Sequence, residues 1–297
     1  MRIFVTGASG FVGSAVTSEL LAHGHQVIGL VRSEVSAEAL VRTGAEVHRG
    51  ELTDIESLKS GAAKADGVIH TAFIHDFSRF RENCEIDRLA IEALGSALAG
   101  SDRPLIVTSG TGLLPPDGLA TEATDPPGAS QHNPRVSEQA GLAQGPKGVR
   151  VAVVRLPPSV HGEGDHGFVP LLIGMARERG AAAYIGDGAN VWPAVHRYDA
   201  AHLYRLAIEK AEPGARYHAV AEQGIAFRDL ATVIGRRLNI PVLAKTPDEA
   251  SDYFGWFTHF AGINNPSSST HSREVLGWKP REIGLLEDLD HDYYFRA

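Results

Sequence analysis

Sulfur is scarce in this chain: one cysteine, Cys84, and two methionines among 297 residues. A single cysteine excludes an internal disulfide and a cysteine-rich metal site. Cys84 itself reads as a small core residue rather than a nucleophile. Long apolar runs are missing too, and none approaches the ~20 residues that a membrane-spanning helix needs. No membrane partner is expected. The first residues read as a core strand rather than a signal peptide, so a cytoplasmic location is expected. Positive charge is in deficit, 28 Lys plus Arg against 36 Asp plus Glu, for a net charge of −8. That balance argues against nucleic acid as the main partner. Internal repeats and long low-complexity tracts are absent. What remains is an ordinary composition, 43% hydrophobic, in a chain long enough to bury a full core in two lobes.

What is present starts at once. Ile3-Phe4-Val5 is a short buried-strand pattern that runs into Thr6-Gly7-Ala8-Ser9-Gly10-Phe11-Val12-Gly13. Behind the glycines, Ala15, Val16, Leu20 and Leu21 recur at helical spacing. Strand, glycine loop and helix form the context in which such a loop holds a dinucleotide. Gly7 can take a backbone conformation closed to other residues. Gly10 lets a diphosphate approach the main chain, and Gly13 lets the helix pack close to the strand. The helix start adds free N–H groups and the positive end of its dipole. The spacing is Gly-x-x-Gly-x-x-Gly, not the commoner Gly-x-Gly-x-x-Gly. Gly7, Ser9, Gly10, Phe11, Val12 and Gly13 are the candidate contacts in this loop.

A second strand, 26–31, ends at Arg32 and Ser33, where an acidic residue would grip the ribose 2′-hydroxyl of NAD. A guanidinium suits a 2′-phosphate instead, so NADP is expected in preference to NAD. A third strand, 46–49, leads to Glu51 and Leu52, candidates to border the adenine. A fourth, 67–70, leads to Thr71, Ala72 and Phe73, candidates to wall the cofactor channel. Thr53 and Asp54 read better as a helix N-cap.

Strands alternate with helical patterns up to residue 160, which predicts an α/β fold with a doubly wound parallel sheet. The reading continues with a helix over 87–98 whose apolar face includes Leu89, Ile91, Leu94 and Leu98, and a fifth strand over 104–109. A long loop, 113–134, precedes a helix at 136–143 and a sixth strand at 149–156. Later come helices over 171–178, 199–210 and 227–238, and a strand over 216–220. Tyr253, Phe254, Trp256, Phe257 and Phe260 form an aromatic cluster that either packs a small lobe or lines a substrate pocket. The helices at 87–98 and 136–143 either cover the sheet or pair two subunits, so a homodimer is possible.

Together these residues resemble the short-chain dehydrogenase/reductase superfamily in its extended, epimerase-like form. The resemblance is carried by the loop at 6–13, His70-Thr71-Ala72-Phe73, Val107-Thr108-Ser109-Gly110-Thr111, and Arg155-Leu156-Pro157-Pro158-Ser159-Val160-His161-Gly162. Val195-His196-Arg197-Tyr198-Asp199-Ala200-Ala201 and Leu276-Gly277-Trp278-Lys279-Pro280 complete it. It implies a Rossmann domain over 1–160 and a small C-terminal substrate-binding lobe mainly over 161–297, with 195–220 returning to the sheet. It also implies that Leu156, Pro157 and Pro158 pass the nicotinamide, and that the substrate is a small molecule.

One departure stands out. In that superfamily a tyrosine protonates the substrate oxygen, and a lysine four residues later tunes it. None of the seven tyrosines here has that lysine. The corresponding stretch is Gln131-His132-Asn133-Pro134-Arg135-Val136-Ser137-Glu138. Either Gln131 and Arg135 or Pro134 and Glu138 keep the four-residue spacing. Hydride transfer to a carbonyl builds negative charge on oxygen, which needs a proton or a positive field. Arg135 suits the field and can also hold the cofactor, but it does not readily yield its proton. His132 titrates near neutrality and suits the proton. Ser109 is the candidate orienting hydroxyl, with Thr111 beside it. Ser137 and Glu138 read as helix-start residues. His75, His161 and His196 follow strand ends, but their separation and the lack of a paired ligand motif give no metal site. His75 with Arg79 reads as coincidence or a substrate contact. The expected function is an NADP-dependent oxidoreductase acting on a small or medium carbonyl or alcohol. The alternatives are a non-catalytic NADP-sensing regulator and a non-redox epimerase, dehydratase or cyclase.

Overall fold

The structure, a computed structural model, describes every residue except 116, 117, 131–133, 211 and 297. The first half alternates β1 (Arg2–Thr6), α1 (Phe11–Ala22), β2 (Gln26–Val31), α2 (Glu34–Arg42), β3 (Glu46–Arg49), α3 (Ile55–Ala63), β4 (Gly67–His70) and α4 (Phe80–Leu98). It continues through β5 (Pro104–Gly110), α5 (Ser137–Leu142), β6 (Arg150–Leu156), β7 (Ser159–His161), α6 (Phe168–Arg179), β8 (Ala182–Ile185) and β9 (Val191–His196). The rest is α7 (Arg197–Lys210), β10 (Ala215–His218), β11 (Glu222–Ala226), α8 (Phe227–Leu238), β12 (Val242–Lys245), α9 (Pro247–Phe254), α10 (Thr258–Gly262), α11 (Thr270–Leu276) and α12 (Leu285–Leu289).

Seven strands make one sheet in the order β10-β6-β5-β4-β1-β2-β3, and every pairing in it is parallel. Parallel strands bury both faces, which explains their near-continuous apolar runs. Along β1 the pleat sends Ile3 and Val5 into one core, with α1, α2 and α7, and Phe4 into the opposite core, with α3, α4 and α5. This is the doubly wound Rossmann arrangement. A third core lies among α6, α8, α9 and α12. It is floored by a three-stranded sheet, β11-β9-β7, and a two-stranded one, β12-β8.

Two differences from the sequence reading have simple causes. Helix α4 begins at Phe80 rather than Asp87 because its first turns, rich in charge, carry little apolar periodicity; only Asn83 and Cys84 are buried there. Leu89, read as part of the apolar face, is 41% exposed. Asp87, Ala90, Ile91 and Leu94 form the inward face instead.

The connection from β5 to α5 is anchored on the C-terminal part of the chain. Thr111 Oγ1 donates to Asn265 Oδ1 at 2.8 Å. Ala120 forms an isolated bridge with Ser267. Glu122 accepts from the Ser272 backbone at 2.8 Å and from its hydroxyl at 2.5 Å.

Candidate active site

The strand order reverses at β1: β2 and β3 lie to one side, β4, β5 and β6 to the other. Crossovers leaving in opposite directions open a crevice at the carboxyl ends of β1 and β4, the place where such sheets bind ligands. The candidate cofactor residues all follow carboxyl ends of β1 to β6.

The glycine loop fits a diphosphate. Gly7 has φ +74°, and a Cβ there would lie 2.9 Å from the Ala72 nitrogen. A Cβ on Gly13 would come within 2.0 Å of the Gly7 carbonyl oxygen. The protein itself thus requires those two glycines. Gly10 is different: it is exposed, and the nearest atom to its Cβ would be Gly7 O at 3.2 Å. Its open side is at the start of α1, which has neither a side-chain cap nor an acidic residue in its first turn. Those free N–H groups suit an anion. Ser9 is exposed, and Phe11 and Val12 are half-buried. The Arg197 guanidinium lies 4.6 Å from the centre of the Phe11 ring and donates to Ser14 Oγ at 2.8 Å. A cation therefore stands at the helix start.

Arg32 is exposed beyond β2 and has no hydrogen bond or ion pair among the described residues. Nearby Arg49, in contrast, is taken by Glu34 at 2.5 Å. Ser33 caps α2. Glu51 is exposed and accepts from Thr53, Leu52 packs against the α3–α4 core, and Asp54 caps α3. Thr71 donates its hydroxyl to Thr6 O at 2.8 Å, which locks the β4 exit beneath the glycine loop.

Arg135 stands at the end of this crevice. Its guanidinium lies 4.1 Å from the Phe73 ring centre, a cation–π contact. Its Nε donates to Ser137 Oγ at 2.9 Å, and Nη2 reaches Thr108 O at 3.5 Å. Ser137 in turn donates to Asp87 Oδ2 at 2.5 Å. Asp87 Oδ1 lies 3.1 Å from His70 Nε2, and His70 Nδ1 lies 2.8 Å from Thr6 Oγ1. A carboxylate only accepts, so in the neutral ring Nε2 carries the proton and Nδ1 accepts from Thr6. A buried chain thus runs from beneath the glycine loop to Arg135. Burial alone would raise the Asp87 pKa. Hydrogen bonds from His70 and Ser137 and the charges of His70 and Arg135 outweigh it, leaving the carboxyl below its ordinary value.

Ser109 shares a strand face with Val107, whose side chain meets Gly141 of α5. Its hydroxyl is therefore on the same side of the sheet as α5. Thr108 points the other way, donating to His70 O and accepting from the buried Tyr204 hydroxyl, both at 2.6 Å. Thr111 is held by Asn265. Glu138 is withdrawn into a buried ion pair: Arg155 donates to it at 2.8 and 2.7 Å, and Arg216 at 2.6 Å. Between the two residues Arg135 and Glu138, then, only Arg135 meets Phe73. Gln131 and His132 lie outside the described residues. Leu156, Pro157 and Pro158 leave the end of β6 beside the short 3-10 turn Thr111–Leu113 that follows β5.

His75 keeps an open edge, yet the protein packed around it, then the charges of Arg135 and His166, hold its pKa below the ordinary value. His161 is buried against Asp288 at 2.8 Å, with His196 at a ring distance of 5.3 Å. No three His, Cys, Asp or Glu side chains converge as a metal site among the described residues. Burial pushes the Cys84 thiol up to about 11, which keeps it unreactive. Sequence reasoning passed over His70, Asp87 and Arg197. The available signal was Asp87 itself, an acid on the inward face with Ala90, Ile91 and Leu94.

Sheet, crossover and glycine loop together define a dinucleotide-binding α/β protein of the Rossmann class. The chain belongs to the NAD-dependent epimerase/dehydratase family, whose model matches residues 3–221, within the extended short-chain dehydrogenase/reductase superfamily. It is 49% identical to an uncharacterised protein of Schizosaccharomyces pombe, over 99% of this chain and 100% of that one. It is 27% identical to a decarboxylating sterol-4-alpha-carboxylate 3-dehydrogenase of Dictyostelium discoideum, over 78% and 74%. Among solved structures it resembles the dTDP-glucose 4,6-dehydratase DesIV of Streptomyces venezuelae, solved with NAD bound. That likeness has a TM-score of 0.78 at 19% identity over 99% and 97% of the chains, and it shows the fold.

Proposed function

We propose that this protein is a cytoplasmic, NADP-dependent oxidoreductase that reduces a small or medium carbonyl compound or oxidises the matching alcohol. The observation that carries the reading is Arg135, held over Phe73 by the Ser137–Asp87 chain at the crevice. The reduced dinucleotide, when bound, supplies a hydride. The glycine loop, the open start of α1 and Arg197 hold its diphosphate, and Arg32 meets the 2′-phosphate. Ala72, Phe73 and the segment Leu156 to Pro158 wall the nicotinamide side and exclude water. Arg135 stabilises the negative charge that develops on the substrate oxygen while keeping its own proton. Ser109 orients that oxygen, and His132 or an ordered water delivers the proton. Asp87 acts through Ser137 as a positioning residue. The dehydrogenase named among the relatives supports a redox reaction. A homodimer would pair through α4 and α5.

The test is consumption of NADPH with a panel of aldehydes, ketones and enones. Arg135→Ala should lower kcat by about 100-fold or more, as loss of an oxyanion donor does. Tight NADPH binding without consumption across the panel would overturn the redox reading in favour of a cofactor-sensing role. Product formed with unchanged cofactor absorbance would point to epimerase-type chemistry.

A further inference from the structure

Oxidation or reduction at a carbonyl carbon moves a proton as well as a hydride, and Arg135 does not give up its own. Histidine titrates near neutrality and suits that task. The histidines at and just beyond the strand ends sort by what their rings already do. His70 is buried, with one nitrogen on Thr6 and the other on Asp87. His161 is buried against Asp288 at 2.8 Å. His196 is buried beside it and accepts from the Tyr198 backbone at 3.3 Å. His218 is buried between Arg155 and the Ser268 carbonyl. His166 is exposed, and its ring meets Phe11 edge-on at 5.7 Å, at the diphosphate end of the crevice.

His75 is placed differently. Its ring meets the Phe73 ring at 5.2 Å with the planes 67° apart, and the Arg135 guanidinium lies 4.1 Å from the centre of that same ring. One aromatic ring thus carries both groups, and they stand no further apart than those two distances end to end. One side of His75 is open to water. The charges around it come from three elements: Arg135 from the β5–α5 connection, His166 from the β7–α6 connection and Asp87 from α4. Burial first, then the charges of Arg135 and His166, disfavour the imidazolium, while the Phe73 carbonyl and Asp87 favour it. The charged side chains that follow on its own loop are turned elsewhere. Asp76 accepts from Ser78 Oγ at 2.6 Å, and Arg79 pairs with Glu82.

We infer that His75, in place of His132 or a water, is the catalytic residue that exchanges a proton with the substrate oxygen. The inference rests on the oxidoreductase reading above. In a neutral imidazole one nitrogen carries the proton and the other accepts. When an alcohol is oxidised, its O–H bond breaks and the proton goes to the accepting nitrogen of His75. The electrons of that bond form the carbonyl, and the hydrogen on carbon leaves with its electron pair to the nicotinamide of NADP. In reduction the protonated ring gives its proton to the oxygen as the hydride arrives. Arg135 steadies the negative charge on that oxygen in both directions. The open side of the ring then exchanges its proton with water.

The experiment follows 1-phenylethanol, 2-octanol and cyclohexanol with NADP, and the matching ketones with NADPH, across about pH 5–9 at saturating cofactor. For the best pair, kcat/KM for oxidation should rise with pH and that for reduction should fall, through one midpoint below 6.5. His75→Asn should remove both pH limbs and lower kcat by about 100-fold or more, with NADPH binding kept within about two-fold. Added imidazole should restore part of the rate to His75→Ala, with a midpoint at the pKa of free imidazole. A readout without turnover is the His75 ring resonance, assigned by its loss in His75→Asn. Its titration midpoint should lie below 6.5 and rise in Arg135→Gln, because the Arg135 charge helps to depress it. A midpoint that ignores Arg135→Gln puts the two groups out of reach of each other and overturns the inference. Limbs that persist in His75→Asn but vanish in His132→Asn return the proton to His132 and leave the oxidoreductase reading intact. Activity and NADPH binding lost together in His75→Asn would make the residue a cofactor contact instead. No turnover of any pair by NADPH-bound wild type overturns the oxidoreductase reading, and the inference falls with it.

Discussion

Asp87 is the most instructive residue to remove. Its two oxygens take hydrogen bonds from His70 and Ser137 in a site with almost no solvent contact. Asp87→Ala strands two buried polar groups, and unsatisfied groups of this kind cost about 1–3 kcal/mol each, about 3–5 kcal/mol together. In a chain of this size that lowers Tm by roughly 6–20 °C. Ser137→Ala removes its hydrogen bond to a charged acceptor, about 1.5–3 kcal/mol, together with the one it accepts from Arg135. Once Asp87 is gone, the Ser137 hydroxyl has lost that acceptor, so the second substitution costs only its contact with Arg135. Urea unfolding of the wild type, both single variants and the double variant should give a coupling of about 1.5–3 kcal/mol. Additive losses, within about 0.5 kcal/mol, would refute the chain as an energetic unit. The pH dependence supplies a second check. The folded Asp87 pKa is depressed, so its contribution is present above the unfolded value near ~3.9 and is lost as pH falls through the folded value. The gap between wild type and Asp87→Ala should therefore narrow below about pH 4. Asp87→Ala should also lower kcat more than it raises KM, because Ser137 no longer aims Arg135.

Arg32→Ala should weaken NADPH binding by about ten-fold or more while NADH binding barely changes; equal losses by calorimetry would make Arg32 structural. Gly13→Ala drives a Cβ to within 2.0 Å of the Gly7 oxygen, so it should destabilise the fold by about 1–3 kcal/mol and weaken dinucleotide binding; an unchanged melting curve contradicts the packing argument. Burial raises the Asp165 pKa to about 6, so the folded state holds a proton the unfolded state has lost between about pH 4 and 6, and stability falls across that window. Asp165→Asn keeps an acceptor for Gly167 N and should raise Tm at pH 7.5 but not at pH 4.5; equal shifts at both values would exclude this cause.

The central strands were readable because each is a compact apolar run, buried on both faces. Strands β2, β3 and β4 have the limits their patterns predict; β3, a half-exposed edge strand, is set between Gly44 and Gly50 instead. The short strands of the second lobe were not readable. They are three to six residues long, and β11 and β9 pair with a register shift, so no period is sustained. The glycine loop announced itself because Gly7 and Gly13 answer to steric limits within a few residues. The chain behind Arg135 did not, because His70, Asp87 and Ser137 are brought together only by packing across β4, α4 and α5. Local sequence names the groups in such a relay but not their meeting. The aromatic cluster of the tail was visible as composition, and its contact with Phe77 was not.

The tie between the β5–α5 connection and the C-terminal part of the chain has a temporal meaning. Glu122 bonds a residue 150 positions later, and Thr111 one 154 positions later. At a synthesis rate of about 5–20 residues per second, those partners reach the loop about 8–30 s after it is made. The parallel strands β1 to β5 can pair in the meantime, and Arg135 can meet Phe73 while Ser137 meets Asp87, but the stretch from Thr111 to Glu122 still lacks its partners. The last quarter of the chain is thus what pins the connection running into a centre encoded in the first half.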